Sequence, residues 1–192
     1  MSGNDQPILD ATDAAQALAK MLQQRGHEYA IGGAIALGYW GQPRGTVDVD
    51  VTIFLEPGRP SSCLHLLEEM GCEVNDVRAL DSLREHGFCQ IRYLGVRVDV
   101  FLPTIPFYET ARQRRRRVRL GENSIAVWDP EVLAVFKMMF FRRKDVADVE
   151  QIIRVQGTNL DRAWVRDQLV DMYGKRDPRI PQWDELTAEI NS

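Results

Sequence analysis

The sequence predicts an α+β (mixed α/β) fold: a small, twisted sheet with helices packed on it, followed by a helical C-terminal part. Three observations predict it. Short apolar runs of strand length alternate with amphipathic helical stretches over the first two thirds of the chain. The stretch 88–102 reads as a hairpin turning at Gly95. Beyond Asp129-Pro130-Glu131, which combines an acid cap, a first-turn proline and another acid, only helical patterns remain.

The elements follow in order. Residues 1–10 read as a loose leader. Thr12 or Asp13 caps a helix through Gln24, with Ala14, Leu18, Met21 and Leu22 on one face and Gly26 as its stop. Glu28 to Ile31 is a short strand delivering Gly32 and Gly33. Ala34 to Tyr39 is a short helix, and 41–45 a loop around Pro43. Val47 to Leu55 is a strand closed by Glu56-Pro57-Gly58. Residues 61–70 form an amphipathic helix ended by Gly71, and a short helix lies near 107–113. Residues 114–120 and 125–128 pair around a turn at 121–124. Helices then cover 130–142, 146–155, 161–173 and 183–190. The expected boundaries are 1–128 for the core and 129–192 for the helical part.

Composition narrows the class. A chain of 192 residues with 44% hydrophobic content can bury one ordinary core. No apolar run approaches the roughly 20 residues of a membrane span, and no secretory segment opens the chain, so a cytoplasmic setting without membrane contact is expected. Cys63, Cys72 and Cys89 are odd in number and lack metal-type spacing, which argues against zinc or a disulfide framework. A net charge of −4 argues against a generic polyanion binder.

Asp48 and Asp50 carry the chemistry. On a strand they point to the same face, with Val47, Val49 and Val51 on the other. Two carboxylates so close repel unless a cation lies between them, and carboxylates plus substrate phosphates are the usual holders of Mg2+. Asp99 lies inside a second apolar run, Val96 to Phe101. If that strand lies beside the first, three acids converge, an arrangement suited to two metal ions roughly 4 Å apart.

These residues resemble the nucleotidyltransferase superfamily typified by DNA polymerase beta: a Gly-Gly or Gly-Ser turn opening a helix, then Asp-x-Asp, then a lone strand aspartate. The matching residues are Gly32 and Gly33, Asp48 and Asp50, and Asp99. More closely, Gly32-Gly33-Ala34-Ile35-Ala36-Leu37 and Arg44-Gly45-Thr46-Val47-Asp48-Val49-Asp50 look like the small bacterial branch. That branch includes the abortive-infection (type IV toxin) nucleotidyltransferases and related uncharacterised domains. The resemblance covers roughly residues 25–155 and extends to Lys137 on a helix and to the acid-bearing segment Arg143 to Asp148. Gly33 stands where the family often has serine.

The resemblance implies an enzyme that transfers NMP from a nucleoside triphosphate to an acceptor hydroxyl with release of pyrophosphate, using two Mg2+ ions, with Mn2+ as a substitute. Asp48, Asp50 and Asp99 are the implied catalytic and metal residues, Asp99 as metal ligand, general base or both. Gly32, Gly33, Arg44, Thr46, Lys137 and Asp148 are the implied nucleotide-binding residues, the helical part completing the nucleotide cleft. Backbone N–H groups at Gly32 and Gly33 suit phosphate at a helix start, and the Arg44 guanidinium suits phosphate oxygens. The bland alternatives are a tight turn for the glycines, a surface arginine, an outward-snorkelling Lys137 and helix capping for Asp145. Trp40 and Tyr39 suit core packing or base stacking.

Arg112, Arg114, Arg115, Arg116, Arg117 and Arg119 place six arginines in eight residues. They form either a ridge for RNA or a solvated strand balancing nearby acids. RNA, such as a tRNA 3′ end in a toxin–antitoxin setting with a cognate antitoxin, is the first expected acceptor. A small antibiotic of the aminoglycoside or lincosamide type is the alternative, and a protein acceptor comes third. A non-catalytic nucleotide-binding module is the reading outside enzymology.

Overall fold

The computed structural model describes residues 10–55 and 59–189. The expected leader (its first nine residues) and the closing turn at 56–58 lie outside them. The described residues form a mixed six-stranded sheet and nine α-helices, the α+β fold that the sequence predicts. They divide into two compact units, each described by itself.

The first unit, residues 10–31, 46–55, 59–106 and 117–126, holds the sheet. Its strands are β1 (Glu28–Ile31), β2 (Asp48–Phe54), β3 (Phe88–Tyr93), β4 (Val96–Phe101), β5 (Arg116–Leu120) and β6 (Asn123–Val127), in spatial order β3-β4-β2-β1-β6-β5. β1 runs antiparallel to β2, β2 parallel to β4, and β3 antiparallel to β4. The β3–β4 hairpin turns on Leu94 and Gly95, with φ of 48° and 83°. Two left-handed residues in a two-residue loop suit the twist of the flanking strands, and glycine takes the second at no steric cost.

α1 (Ala11–Gln24) packs on β1, β2 and β4. Its cap is Asp10, not Thr12 or Asp13: the Asp10 carboxylate accepts the Asp13 N–H at 2.8 Å. The helix starts earlier because Ala11 and Ala14 are already buried. Tyr29 locks β1 in place, its hydroxyl accepting from Gln23 at 2.6 Å and from the Ala126 N–H at 3.2 Å. α3 (Pro60–Glu69) packs on α4 (Asp76–His86), which in turn packs on β3. The sequence pattern does not predict α4. Val77 is 72% exposed and few apolar side chains face inward, Ala79 and Leu83 among them, so no helical period stands out. Cys63, Cys72 and Cys89 are free and buried, and burial pushes each thiol up to about 12.

The second unit, residues 32–45, 107–116 and 127–189, is helical. It comprises α2 (Gly33–Trp40), α5 (Phe107–Gln113), α6 (Pro130–Phe140), α7 (Arg143–Gln156), α8 (Arg162–Tyr173) and α9 (Arg179–Glu189). α6 touches α2, α7 and α8 and is the centre of the unit. Val132, Val135, Met138, Ile152, Ile153 and Leu169 are fully buried around it. Arg179 closes its C-terminus by donating to the Met138 and Met139 carbonyls at 2.9 and 3.2 Å, orphan acceptors at any helix end. Its guanidinium also stacks on Tyr173 at 4.2 Å.

Asp129 caps α6 by accepting the Val132 N–H at 2.8 Å. Arg114 bridges Asp129 at 2.7 Å and Glu131 at 2.8 Å while lying over the Trp164 ring at 4.2 Å. Burial raises the Asp129 carboxyl to about 6, against the pull of the Val132 N–H and Arg114. A native value above the unfolded one gives stability that is full below the unfolded value and lost as pH rises through about 6. Asp129→Asn keeps the cap but cannot titrate. As pH falls from 7 to 5 the wild type is therefore expected to gain on this variant, by at most about 1.4 kcal/mol per pH unit. Urea melts at each pH check this, and a pH-independent difference would contradict it.

Candidate active site

Three of the sequence-predicted acids share one face of the sheet. The parallel register sets Asp50 opposite Asp99 and Asp48 opposite Arg97. Alternation then buries Val49, Val51, Val98 and Val100 on the other face. The Asp48 carboxylate is held at both oxygens. The Thr46 hydroxyl donates to Oδ1 at 2.6 Å, and Arg97 Nη2 donates to Oδ2. Asp99 Oδ1 accepts from Gln90 Nε2 at 2.9 Å and faces Arg97 Nε at 3.6 Å. Thr46 thus orients Asp48.

The remaining nucleotide-binding candidates lie in the helical unit. Gly32 precedes α2, and Gly33 opens it with a φ of 52°. A left-handed residue at a helix start is accessible to glycine and costly for serine, which accounts locally for the missing hydroxyl. Lys137 does not snorkel outward. It is 6% exposed, with Nζ 2.7 Å from Asp148 Oδ2 and 3.6 Å from Asp145 Oδ1. Arg44 closes on the same Asp148 with two hydrogen bonds of 3.1 Å. Burial pushes the Asp148 carboxyl up, but the hydrogen bonds from Arg44 and Lys137 outweigh it and hold the group below its ordinary value. Asp145 caps α7 through Arg142, as the sequence suggests, and also faces Lys137.

The arginine run is not one uniform ridge. Arg114 is committed to Asp129 and Glu131, Arg112 pairs with Glu109 at 3.6 Å, and Arg115 donates to the Arg112 carbonyl. Arg116, Arg117 and Arg119 are exposed on the edge strand β5. Trp40 is anchored through Nε1 to the Trp128 carbonyl at 2.6 Å.

No protein-family model matches the chain, and no curated protein matches it in sequence. Solved structures do match its fold. An antigenic nucleotidyltransferase-like protein from Paracoccidioides brasiliensis is 16% identical with a TM-score of 0.52, over 93% of this chain and 92% of that one. ANT(2″)-Ia, in complex with adenylyl-2″-tobramycin, is 12% identical with a TM-score of 0.56, over 85% and 98%. The lincosamide antibiotic adenylyltransferase LnuA, lincomycin-bound, is 10% identical with a TM-score of 0.50, over 70% and 91%. The chain has the nucleotidyltransferase fold.

Within that fold, sequence reasoning misses two residues of the acidic face, Arg97 and Gln90. A local signal exists for each: Arg97 is two residues before Asp99 and so on its face, and the two-residue hairpin sets Gln90 opposite Asp99. The donor set itself suits a hard divalent cation, since all three acids offer carboxylate oxygens and the thiols are buried and protonated. Among the described residues, however, no three acidic, histidine or cysteine groups converge on one point. Arg97 lies between Asp48 and Asp99 instead.

Asp148 has a native value below the unfolded one, so its stabilisation is present above the unfolded carboxylate value and is lost as pH falls below about 4. Lys137→Met is expected to destabilise by about 3 kcal/mol at pH 7, the order of a broken buried ion pair, and to flatten the acid-side loss. Urea melts at pH 7 and 3.5 measure both.

Proposed function

We propose that this protein is a Mg2+-dependent nucleotidyltransferase that transfers NMP from a nucleoside triphosphate to an acceptor hydroxyl. The observation that carries the reading is the acidic face: Asp48 and Asp50 on β2, with Asp99 directly across from Asp50 on β4. Acids are depleted in strands, and three on one face of adjacent strands have a ready account as cation ligands. Asp48, Asp50 and Asp99 would hold the metal. Bound Mg2+ supplies charge neutralisation on the reacting and departing phosphates. Thr46 fixes the Asp48 rotamer and Gln90 that of Asp99. Asp99 is the acid assigned to the attacking hydroxyl, as metal ligand or as base. Backbone N–H groups at Gly32 and Gly33 are assigned to triphosphate oxygens. Arg44, half-exposed, is assigned to the same anion, with Asp148 and Lys137 setting its position. Catalysis on this scheme is positioning and charge neutralisation.

Two acceptor classes have support. Exposed Arg116, Arg117 and Arg119 favour RNA, in keeping with a toxin–antitoxin setting. The fold shared with ANT(2″)-Ia and LnuA, over 85% and 70% of this chain, favours a small antibiotic.

The test is incubation with each α-labelled nucleoside triphosphate, Mg2+ and either total bacterial RNA or a panel of aminoglycosides and lincosamides. Asp48→Ala is expected to lower transfer by at least about 10²–10³-fold. Equal transfer by the variant would remove the metal role. Label in RNA supports the first acceptor class, and replacing Arg116, Arg117 and Arg119 by Gln should then shallow the salt dependence of binding by about 0.7 per lost phosphate contact. Pyrophosphate released only with an antibiotic supports the second. Nucleotide binding without transfer to any acceptor would favour a non-catalytic module.

A further inference from the structure

We propose that Arg97 is a built-in counter-cation of the acidic face, which a divalent metal must displace from Asp48 as it binds. The inference rests on the metal-binding reading of Asp48, Asp50 and Asp99.

Its basis is the position of one guanidinium. The β2–β4 register sets Arg97 opposite Asp48 and, by alternation, on the same face as Asp99. Nη2 pairs with Asp48 Oδ2, and Nε lies 3.6 Å from Asp99 Oδ1. Two carboxylates on neighbouring strands repel, and Arg97 places a positive charge between them. It neutralises them incompletely, bringing one positive charge to two negative ones.

Two features mark the pairing as exchangeable. Arg97 Nε is buried yet makes no hydrogen bond. A guanidinium in a settled structural pair presents matched donors to its carboxylates, commonly as a fork. Here Nη2 donates a hydrogen bond and Nε does not. The Arg97 side chain is also 41% exposed, whereas those of Asp48 and Asp99 are 23% and 16% exposed. The cation therefore has a path to solvent that its partners lack, and it regains hydration on leaving them.

Metal entry then becomes an exchange. Asp48 Oδ1 is held by Thr46 and Oδ2 by Arg97. A divalent ion on Oδ2 would bring two positive charges to the oxygen that already pairs with the Arg97 guanidinium, and like charges that close repel. Of the two partners Arg97 is the one that is repelled by the incoming charge, so it leaves while Thr46 continues to orient the carboxylate. The metal-free protein keeps its acidic face partly neutralised, and metal binding carries an exchange cost.

The probe is Mn2+ alone, without nucleotide, bound to the full chain and titrated by electron paramagnetic resonance, with melting temperatures taken with and without the ion. Arg97→Gln is expected to bind Mn2+ about two- to fivefold more tightly than wild type, the equivalent of about one surface-type ion pair removed from competition. It should also melt lower without metal and recover more on adding it. Arg97→Lys keeps the charge without the fork and should fall between the two, which preserves the test if the Gln variant does not fold. Equal or weaker Mn2+ binding by the folded Arg97 variants overturns the proposal. Asp48→Asn separates this failure from that of the underlying reading: if it binds Mn2+ as well as wild type does, the acidic face is not the metal site and both fall.

Discussion

Parallel pairing of β2 with β4 is the constraint on which the acidic face depends. The two strands are far apart in sequence, and their register alone sets Asp50 opposite Asp99 and Asp48 opposite Arg97. The register is not held by the acids, whose mutual repulsion opposes it. It is held from behind, by Val49, Val51, Val98 and Val100, each no more than 1% exposed. A slip of one residue would turn those valines to solvent and the acids into the core, so the apolar face fixes the polar one.

The helical unit meets a related problem by different means. Lys137 is buried among the apolar residues of α6, where an unpaired ammonium would be costly. Two acids from α7, Asp145 and Asp148, neutralise it, and each has a second cation of its own, Arg142 and Arg44. The result is an alternating chain of charges running from a buried lysine to a half-exposed arginine. Such a chain fixes the Arg44 head more firmly than a surface arginine is fixed, because both Asp148 oxygens are engaged. Arg114 is handled in the same manner by Asp129, Glu131 and the Trp164 ring. Positive charge in this unit is mostly paired and directed, which is why a count of arginines overstates what is open to a polyanion.

The two units thus treat cations oppositely. In the helical unit Lys137, Arg44 and Arg114 are each matched to acids and partly buried. On the sheet, Arg97 is under-bonded at Nε and partly exposed between acids that carry more charge than it does.

Much of this molecule is legible in local stretches of the chain. Period-two alternation around Asp48, Asp50 and Asp99 is a local property, as are the Gly32-Gly33 turn, the Asp129-Pro130 helix start and the hairpin at Gly95, and each of these elements is present in the structure. The α+β class follows from them. α4 is illegible because too few of its side chains turn inward to make a period. Charge partners are also beyond the sequence. Nothing local distinguishes Arg114, bound to Asp129, from Arg117 three residues on, nor tells that Lys137 points inward to Asp148. Those choices are made by chain segments that meet only after folding, since a charge is paired or free according to what the tertiary structure brings within a few ångströms of it.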